Sequence, residues 1–277
     1  MEKQTFIITG GNSGIGKAVA IKIAKKNLHV VIVSRNIEKG KTALEDIKNA
    51  SNNSEVELII GNLNSINSTK ALTQNILKKY SNISVLINNA GIWPTNLELN
   101  EDGLEMAFMI NYLAPFILSN MLLNRLKKNA PSRIVNVNAK LYSKGKIDLK
   151  KTPFGKDFGK FKTYMNTKLC NIYFTQKFSQ LLNKTNVTIN ANHPGVISTN
   201  LGDTNGIFGI LLRQVKKLWN SPEEGAGPIV WLATSPSLLE ENGKYYELMV
   251  HKPYANNSQN KEIREQLWDF SKKITGI

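Results

Sequence analysis

Tyr164 and Lys168 stand four residues apart in Tyr164-Met165-Asn166-Thr167-Lys168. On a helix that spacing puts both side chains on one face. A free phenol has a pKa near ~10, and a neighbouring ammonium favours its anion, so the pair has the makings of a proton donor and acceptor. A second chemical feature lies near the N-terminus, in Thr9-Gly10-Gly11-Asn12-Ser13-Gly14-Ile15-Gly16. Glycine tolerates positive φ and lets a pyrophosphate approach the backbone closely. The dipole and free N–H groups of a following helix add to that attraction.

Both features need a scaffold, and the hydrophobic pattern supplies one. Short β-rich runs at Thr5–Thr9, His29–Val33, Glu55–Ile60, Val85–Ile87, Arg133–Val137 and Val187–Ala191 alternate with helical patterns. The helices are expected at Ile15–Lys26, Glu38–Asn49, Ser65–Lys79, Glu101–Lys128, Lys162–Leu182 and, at the C-terminus, 258–277. Near-continuous apolar strands between helices indicate a parallel sheet covered on both faces. The expectation is therefore α/β: one doubly wound domain over residues 1–277, with about seven strands. Two longer irregular stretches, 138–161 and 198–220, read as functional loops, the second as a substrate lid because Ile207, Phe208, Ile210, Leu211 and Leu212 sit among its glycines.

Composition excludes several classes. With 41% hydrophobic residues the chain is neither disordered nor fibrous. One cysteine, Cys170, excludes a disulfide framework and a cysteine-based zinc site. No metal is expected. The net charge of +15 comes from 31 Lys and only 5 Arg, whereas base-edge and bidentate phosphate readers lean on Arg. No nucleic-acid motif accompanies the charge, so no nucleic-acid partner is expected. The start, Met1-Glu2-Lys3, lacks a secretory pattern. The apolar stretch Leu104–Leu123 contains Glu105, Asn111, Pro115 and Asn120, a composition better suited to a buried helix than to a membrane anchor. The chain is read as cytoplasmic.

The motifs together resemble the short-chain dehydrogenase/reductase superfamily, which has a Rossmann fold. Thr9–Gly16 is similar to its TGxxxGxG cofactor motif, Asn88-Asn89-Ala90-Gly91 to its NNAG, Tyr164–Lys168 to its YxxxK, and His193-Pro194-Gly195 with downstream Thr199 to its PG motif. Ser221–Ala226, Trp231–Pro236, Gly243–Tyr246 and the segment around Leu267-Trp268 resemble the retinol-dehydrogenase-like branch. The resemblance implies a dinucleotide held by Thr9, Gly10, Asn12, Ser13, Gly14, Ile15 and Gly16. Asn62 and Leu63 after the third strand lie toward adenine, and Asn89, Ala90 and Gly91 toward the adenosine ribose. Tyr164, Lys168, Pro194, Gly195, Val196 and Thr199 lie toward the nicotinamide end. Asn88 is assigned to the central sheet. The position after the second strand selects the cofactor. An acidic residue there would bind a ribose 2′-hydroxyl and repel a 2′-phosphate. This chain has Ser34-Arg35-Asn36, with Lys39 and Lys17 nearby, and Arg35 offers planar charged donors. NADP(H) is the expected cofactor.

By the same resemblance Tyr164 is the general acid/base, Lys168 holds the nicotinamide ribose and lowers the Tyr pKa, and Asn111 orients a water of the proton relay. The departure from the family pattern is at the end of the fifth strand, Asn136-Val137-Asn138-Ala139-Lys140. Ala139 occupies the position of the catalytic Ser, and a methyl group donates no hydrogen bond. Three readings stay open. Asn138, Ser143 or Tyr142 substitutes for the hydroxyl; the substrate needs only Tyr164; or the chain is a cofactor-binding sensor or assembly protein with little catalysis. His193 reads as a packing or capping residue. Trp93 and Leu141 are candidate walls of an apolar pocket, and Arg213, Lys216 and Lys217 beyond the lid read as solvated charges. The leading function is an NADP(H)-dependent oxidoreductase interconverting a carbonyl and an alcohol on a lipophilic or secondary-metabolite small molecule. A homodimer through the two long helices is implied by the resemblance.

Overall fold

The structure is a computed structural model that describes residues 4–197 and 221–277. Thr199, the expected lid at 198–220, and Arg213, Lys216 and Lys217 lie outside the described residues. The strands are β1 (Thr5–Thr9), β2 (His29–Ser34), β3 (Val56–Ile60), β4 (Ile83–Asn88), β5 (Ser132–Val137), β6 (Val187–His193), β7 (Tyr245–Glu247) and β8 (Val250–Lys252). They form one sheet in the order β3-β2-β1-β4-β5-β6-β7-β8. All neighbours are parallel except β7 and β8. The sheet thus has eight strands where about seven were expected. The addition is β8, a short exposed strand of Val250, His251 and Lys252 whose three residues carry too little apolar pattern to be read as a strand.

Among the described residues seven helices flank the sheet: α1 (Gly14–Ala24), α2 (Ile37–Ser51), α3 (Ile66–Lys79), α4 (Met106–Lys128), α5 (Lys160–Leu181), α6 (Pro222–Thr234) and α7 (Lys261–Thr275). Strand alternation divides the core. Ile7 of β1 and Ile134 of β5 face α3, α4, α5 and α7. Phe6 and Ile8 of β1 and Val135 of β5 face α1, α2 and α6.

Several boundaries differ from the sequence expectation for local chemical reasons. Helix α4 begins at Met106, not 101, because the Glu105 carboxylate caps it by accepting from Phe108 N at 2.7 Å. Leu99 and Glu105 form an isolated β-bridge before it. Helix α7 starts at Lys261, not 258. A tight turn at Asn256–Ser258 precedes it and Asn260 caps it through Ile263 N. Helix α4 has mean hydropathy 1.6 in its most apolar window and is long enough to cross a membrane, yet 78% of that window is buried inside the fold.

Within α4, Met109–Leu113 forms a π-helical turn. Pro115 lies four residues after Asn111 and has no N–H to donate back to the Asn111 carbonyl. That carbonyl instead accepts from the Asn171 amide on α5 at 3.2 Å. Single π-turns of this kind often mark functional positions in helices.

A buried amide chain continues beneath it. Asn88 at the end of β4 donates to Asn136 of β5 at 2.8 Å, and Asn136 donates to Thr175 of α5 at 2.9 Å. The assignment of Asn88 to the central sheet agrees with these bonds. Asn136 is fully buried. Replacing it with Ala strands polar partners without water, at about 1–3 kcal/mol for each unsatisfied group. Asn136→Ala is expected to lower the urea midpoint by an amount equal to about 2–3 kcal/mol with the slope unchanged, read by equilibrium unfolding.

Candidate active site

The glycine loop joins β1 to α1 at the carboxyl end of the sheet. Gly10 and Gly14 have φ of +64° and +50°. At Gly16 a Cβ would come within 2.3 Å of the Gly10 carbonyl oxygen, so no larger residue fits. Asn89 braces the loop: its Nδ2 donates to Thr9 O at 2.9 Å and Gly10 O at 3.3 Å. The Thr9 hydroxyl accepts from Asn89 N and Ala90 N, both at 3.0 Å. The Asn89 Nδ2 is therefore engaged inside the loop. At the start of α1, Ser13 makes no side-chain cap bond and the first turn carries no acidic residue. Its N–H groups face an approach made close by glycine, a combination that fits a dinucleotide pyrophosphate. Asn12 and Ile15 are partly buried on either side.

At the end of β2, Ser34 Oγ donates to Asn36 O, and the Asn36 side chain caps α2 by accepting from Lys39 N at 2.8 Å. Asn36 has thus committed its side chain to the helix. Arg35 is exposed and has no carboxylate partner among the described residues. Lys17, by contrast, is paired to Asp46 of α2 at 2.5 Å, which answers its charge locally. Arg35 lines a cavity of about 330 Å³ together with Asn62, Trp93, Met106 and Ile110. Asn62 Oδ1 accepts from Asn64 N at 3.2 Å and shapes the turn after β3, while Leu63 packs on the core. A slightly larger cavity, about 350 Å³, surrounds Glu57, His29 and Tyr80 at the opposite ends of the strands. Ligands of open α/β sheets bind at the carboxyl ends, so the Arg35 cavity is the relevant one.

Asn111, Tyr164 and Lys168 converge beyond β4 and β5. A Cβ built on Gly91 would lie 3.2 Å from Asn111 Oδ1 and 3.8 Å from Lys168 Nζ, so only a glycine at 91 leaves that space open. The Asn111 side chain grips the loop after Gly91 at both ends, accepting from Ile92 N at 2.7 Å and donating to Ile92 O at 2.9 Å. It also donates to Thr167 Oγ1 at 3.1 Å. Lys168 Nζ donates to Val137 O at 3.0 Å and sits 5.7 Å from the centre of the Tyr164 ring. The Tyr164 hydroxyl has no hydrogen-bond partner among the described residues.

Burial controls the protons here. It pushes the Tyr164 phenol well above its usual range and holds Lys168 down at about 8. The expectation that Lys168 lowers the phenol is thus outweighed: desolvation disfavours both charged forms. A neutral phenol with an unpaired hydroxyl is a proton donor in waiting.

The groups considered as stand-ins for a hydroxyl at Ala139 are engaged elsewhere. Asn138 donates to Lys168 O and Asn171 Oδ1 and accepts from Ala139 N. The Tyr142 hydroxyl accepts from Ala255 N at 3.0 Å, and Ser143 Oγ donates to Lys140 O at 3.0 Å. His193 ends β6 with a buried, unpartnered Nδ1. Burial lowers its pKa to about 4, so the ring is neutral. After it, Pro194 is buried, Gly195 has φ of +100°, and Val196 is exposed.

Two features were missed by sequence reasoning. Asn171 ties α5 to both Asn138 and the π-turn; its only sequence signal is the proline at 115. Trp93 stacks flat on Tyr164 with ring centres 4.5 Å apart and planes 5° apart. That contact crosses 71 positions, and no local pattern announces it.

Comparison with known proteins gives the family. The short chain dehydrogenase family model matches residues 4–206. Retinol dehydrogenase 13 of Homo sapiens is 33% identical over 99% of this chain and 85% of its own. Retinol dehydrogenase 14 of Homo sapiens is 34% identical over 100% and 88%. Among solved structures, an uncharacterised protein from Mycobacterium paratuberculosis superposes with TM-score 0.78 at 24% identity, covering 99% of this chain and 93% of that one. A blue fluorescent protein from a metagenomic library, in complex with NADPH, superposes with TM-score 0.70 at 20% identity, covering 88% and 96%. With a glycine loop, a Tyr–Lys helix and full-length relatives in agreement, the chain belongs to the short-chain dehydrogenase family and is an oxidoreductase of the alcohol/carbonyl pair that uses a nicotinamide dinucleotide.

Proposed function

We propose that the protein is an NADP(H)-dependent oxidoreductase that interconverts a carbonyl and an alcohol on a lipophilic or secondary-metabolite small molecule. The observation that carries this reading is the position of Lys168, whose ammonium lies beside both the Tyr164 ring and the space at Gly91 that Asn111 also borders. Bound at the glycine loop, the dinucleotide supplies the hydride. Tyr164 donates its proton to the carbonyl oxygen in reduction and takes the alcohol proton in oxidation. Lys168 holds the nicotinamide ribose, and Arg35 holds the 2′-phosphate. Ile92, Trp93, Met106 and Ile110 give one apolar side to a cavity that is otherwise polar, which supports a lipophilic part in the substrate. The whole chain is read as one domain because a single sheet carries both cores.

Ala139 favours a second reading, a dinucleotide-binding sensor or assembly protein with little turnover. Asn138, Tyr142 and Ser143 each have other hydrogen-bond partners, which strengthens that alternative. It also leaves, within the enzyme reading, a substrate that needs only Tyr164. A buried, free Cys170 is consistent with a cytoplasmic setting. The homodimer implied by the resemblance would pair through α4 and α5, against which α7 also lies. Trp268 packs on Phe116 at 5.0 Å, and Tyr112 bonds Ser271 at 2.6 Å.

The decisive experiment follows NADPH-dependent reduction of an aldehyde, ketone and quinone panel. Tyr164→Phe is expected to abolish turnover while NADPH still binds. Ala139→Ser is expected to raise kcat, by up to the ~10²–10³ that one oxyanion donor is worth elsewhere. Cofactor binding without any Tyr164-dependent turnover in either background would support the sensor reading.

For the cofactor, Arg35→Ala is expected to weaken NADPH binding by about ten- to a hundredfold, the worth of a charged hydrogen bond. NADH binding should stay within about twofold of the parent. Fluorescence titration of both nucleotides reads the difference.

Lys168 makes stability depend on pH. Its folded value of about 8 lies below its usual 10.5. The unfolded chain therefore binds more protons between those values, and stability from this group rises with pH across that window. Below pH 8 the buried ammonium costs stability in full. Lys168→Met is thus expected to melt higher than the parent below pH 8, with the gap closing between pH 8 and 10, read by thermal unfolding without nucleotide.

A further inference from the structure

The Tyr164 phenol must aim its hydroxyl, and little in its surroundings does so by hydrogen bonding. Lys168 spends a donor on Val137 O, the hydroxyl itself is unpartnered among the described residues, and position 139 offers only a methyl. What touches the ring is Trp93, stacked at 4.5 Å and 5°. Phe161, one helical turn before Tyr164, closes edge-on against the same indole at 5.0 Å and 84°. Phe161 is 57% exposed, so the contact with Trp93 is a notable part of what it packs on. The loop that carries the indole is itself held. Asn111 bonds both backbone groups of Ile92, the residue next to Trp93, and the π-turn in α4 sets Asn111.

We propose that Trp93 is a positioning residue: it holds the phenol of Tyr164 in the direction proton transfer needs, with Asn111 fixing the loop that carries it. This rests on Tyr164 as the acid/base. A stack of near-parallel rings is geometrically specific, favouring offset faces over free rotation. Misplacing a reacting group by about 1 Å costs up to a hundredfold in rate. A second consequence is solvation. The indole keeps water from one face of the phenol, while Lys168 on α5 is the charged group facing the ring and neutral His193 at the end of β6 stands near Lys168.

The test compares Trp93→Ala, Trp93→Phe and Tyr164→Phe with the parent on the best carbonyl substrate. Trp93→Ala is expected to lower kcat by about ten- to a hundredfold with NADPH affinity within about twofold. Trp93→Phe, which restores a stacking ring, should recover most of that loss. A second readout separates positioning from binding: the loss in Trp93→Ala should lie in kcat at saturating substrate and NADPH, with KM within about threefold of the parent and a parent-like melting temperature. Parent-like kcat in Trp93→Ala, or a loss confined to KM, with Tyr164→Phe inactive, overturns the positioning role. Full activity in Tyr164→Phe overturns the acid/base reading and the positioning role with it. Should Trp93→Ala fail to fold, Phe161→Ala removes the edge contact alone, and a smaller fall in kcat of about threefold or more is expected; no fall overturns the proposal.

Discussion

Pro115 withholds an N–H from the carbonyl of Asn111, and the consequences of that missing donor reach most of the site. A buried carbonyl without a partner is costly, and Asn171 of α5 supplies the replacement bond. Asn171 in turn accepts from Asn138 at the end of β5, whose amide also holds the Lys168 carbonyl. Asn111 meanwhile clamps Ile92. Two helices, one strand end and one loop are thus tied by amides in a low-dielectric interior, where such networks are strong when satisfied. Tyr164 and Lys168 need no flexible support, because the elements carrying them are locked to one another.

Burial also sets the chemistry. The same packing that fixes Tyr164 and Lys168 strips water from both and drives each toward its neutral form. In the proposed carbonyl reduction this is favourable at the tyrosine, since an acid there must hold its proton until the oxygen needs it. At the lysine it is a cost in stability.

Ala139 changes how the site is completed. Around it, Asn138 faces α5, Tyr142 braces Ala255, and Ser143 caps its own turn. The site concentrates its polar capability in one phenol, and its geometry in aromatic and amide contacts around that phenol. An active centre arranged in this way asks more of the orientation of Tyr164 than one with a second donor.

Much of this was legible in the chain. Glycine spacing after an apolar run reads as a phosphate loop because glycine readily takes positive φ and close backbone approach; Gly10 and Gly14 do the first and Gly16 the second. Tyr164 and Lys168 share a helix face because helical periodicity is local. Strand and helix alternation marks the doubly wound sheet for the same reason, although the three-residue strands β7 and β8 and the helix α6 were not read from it. Arg35 stands without a carboxylate where the sequence put it. What the chain alone determined were properties of neighbours in sequence: backbone conformation, periodicity and the identity of each functional group. The tertiary structure decided which groups are free to act. Lys17 is paired with Asp46, Asn89 braces the glycine loop, Asn138 is bound to α5, and Trp93 lies flat on Tyr164. Each of these joins residues from different elements, and a hydrogen-bond partner or a desolvated surface exists only once those elements have packed.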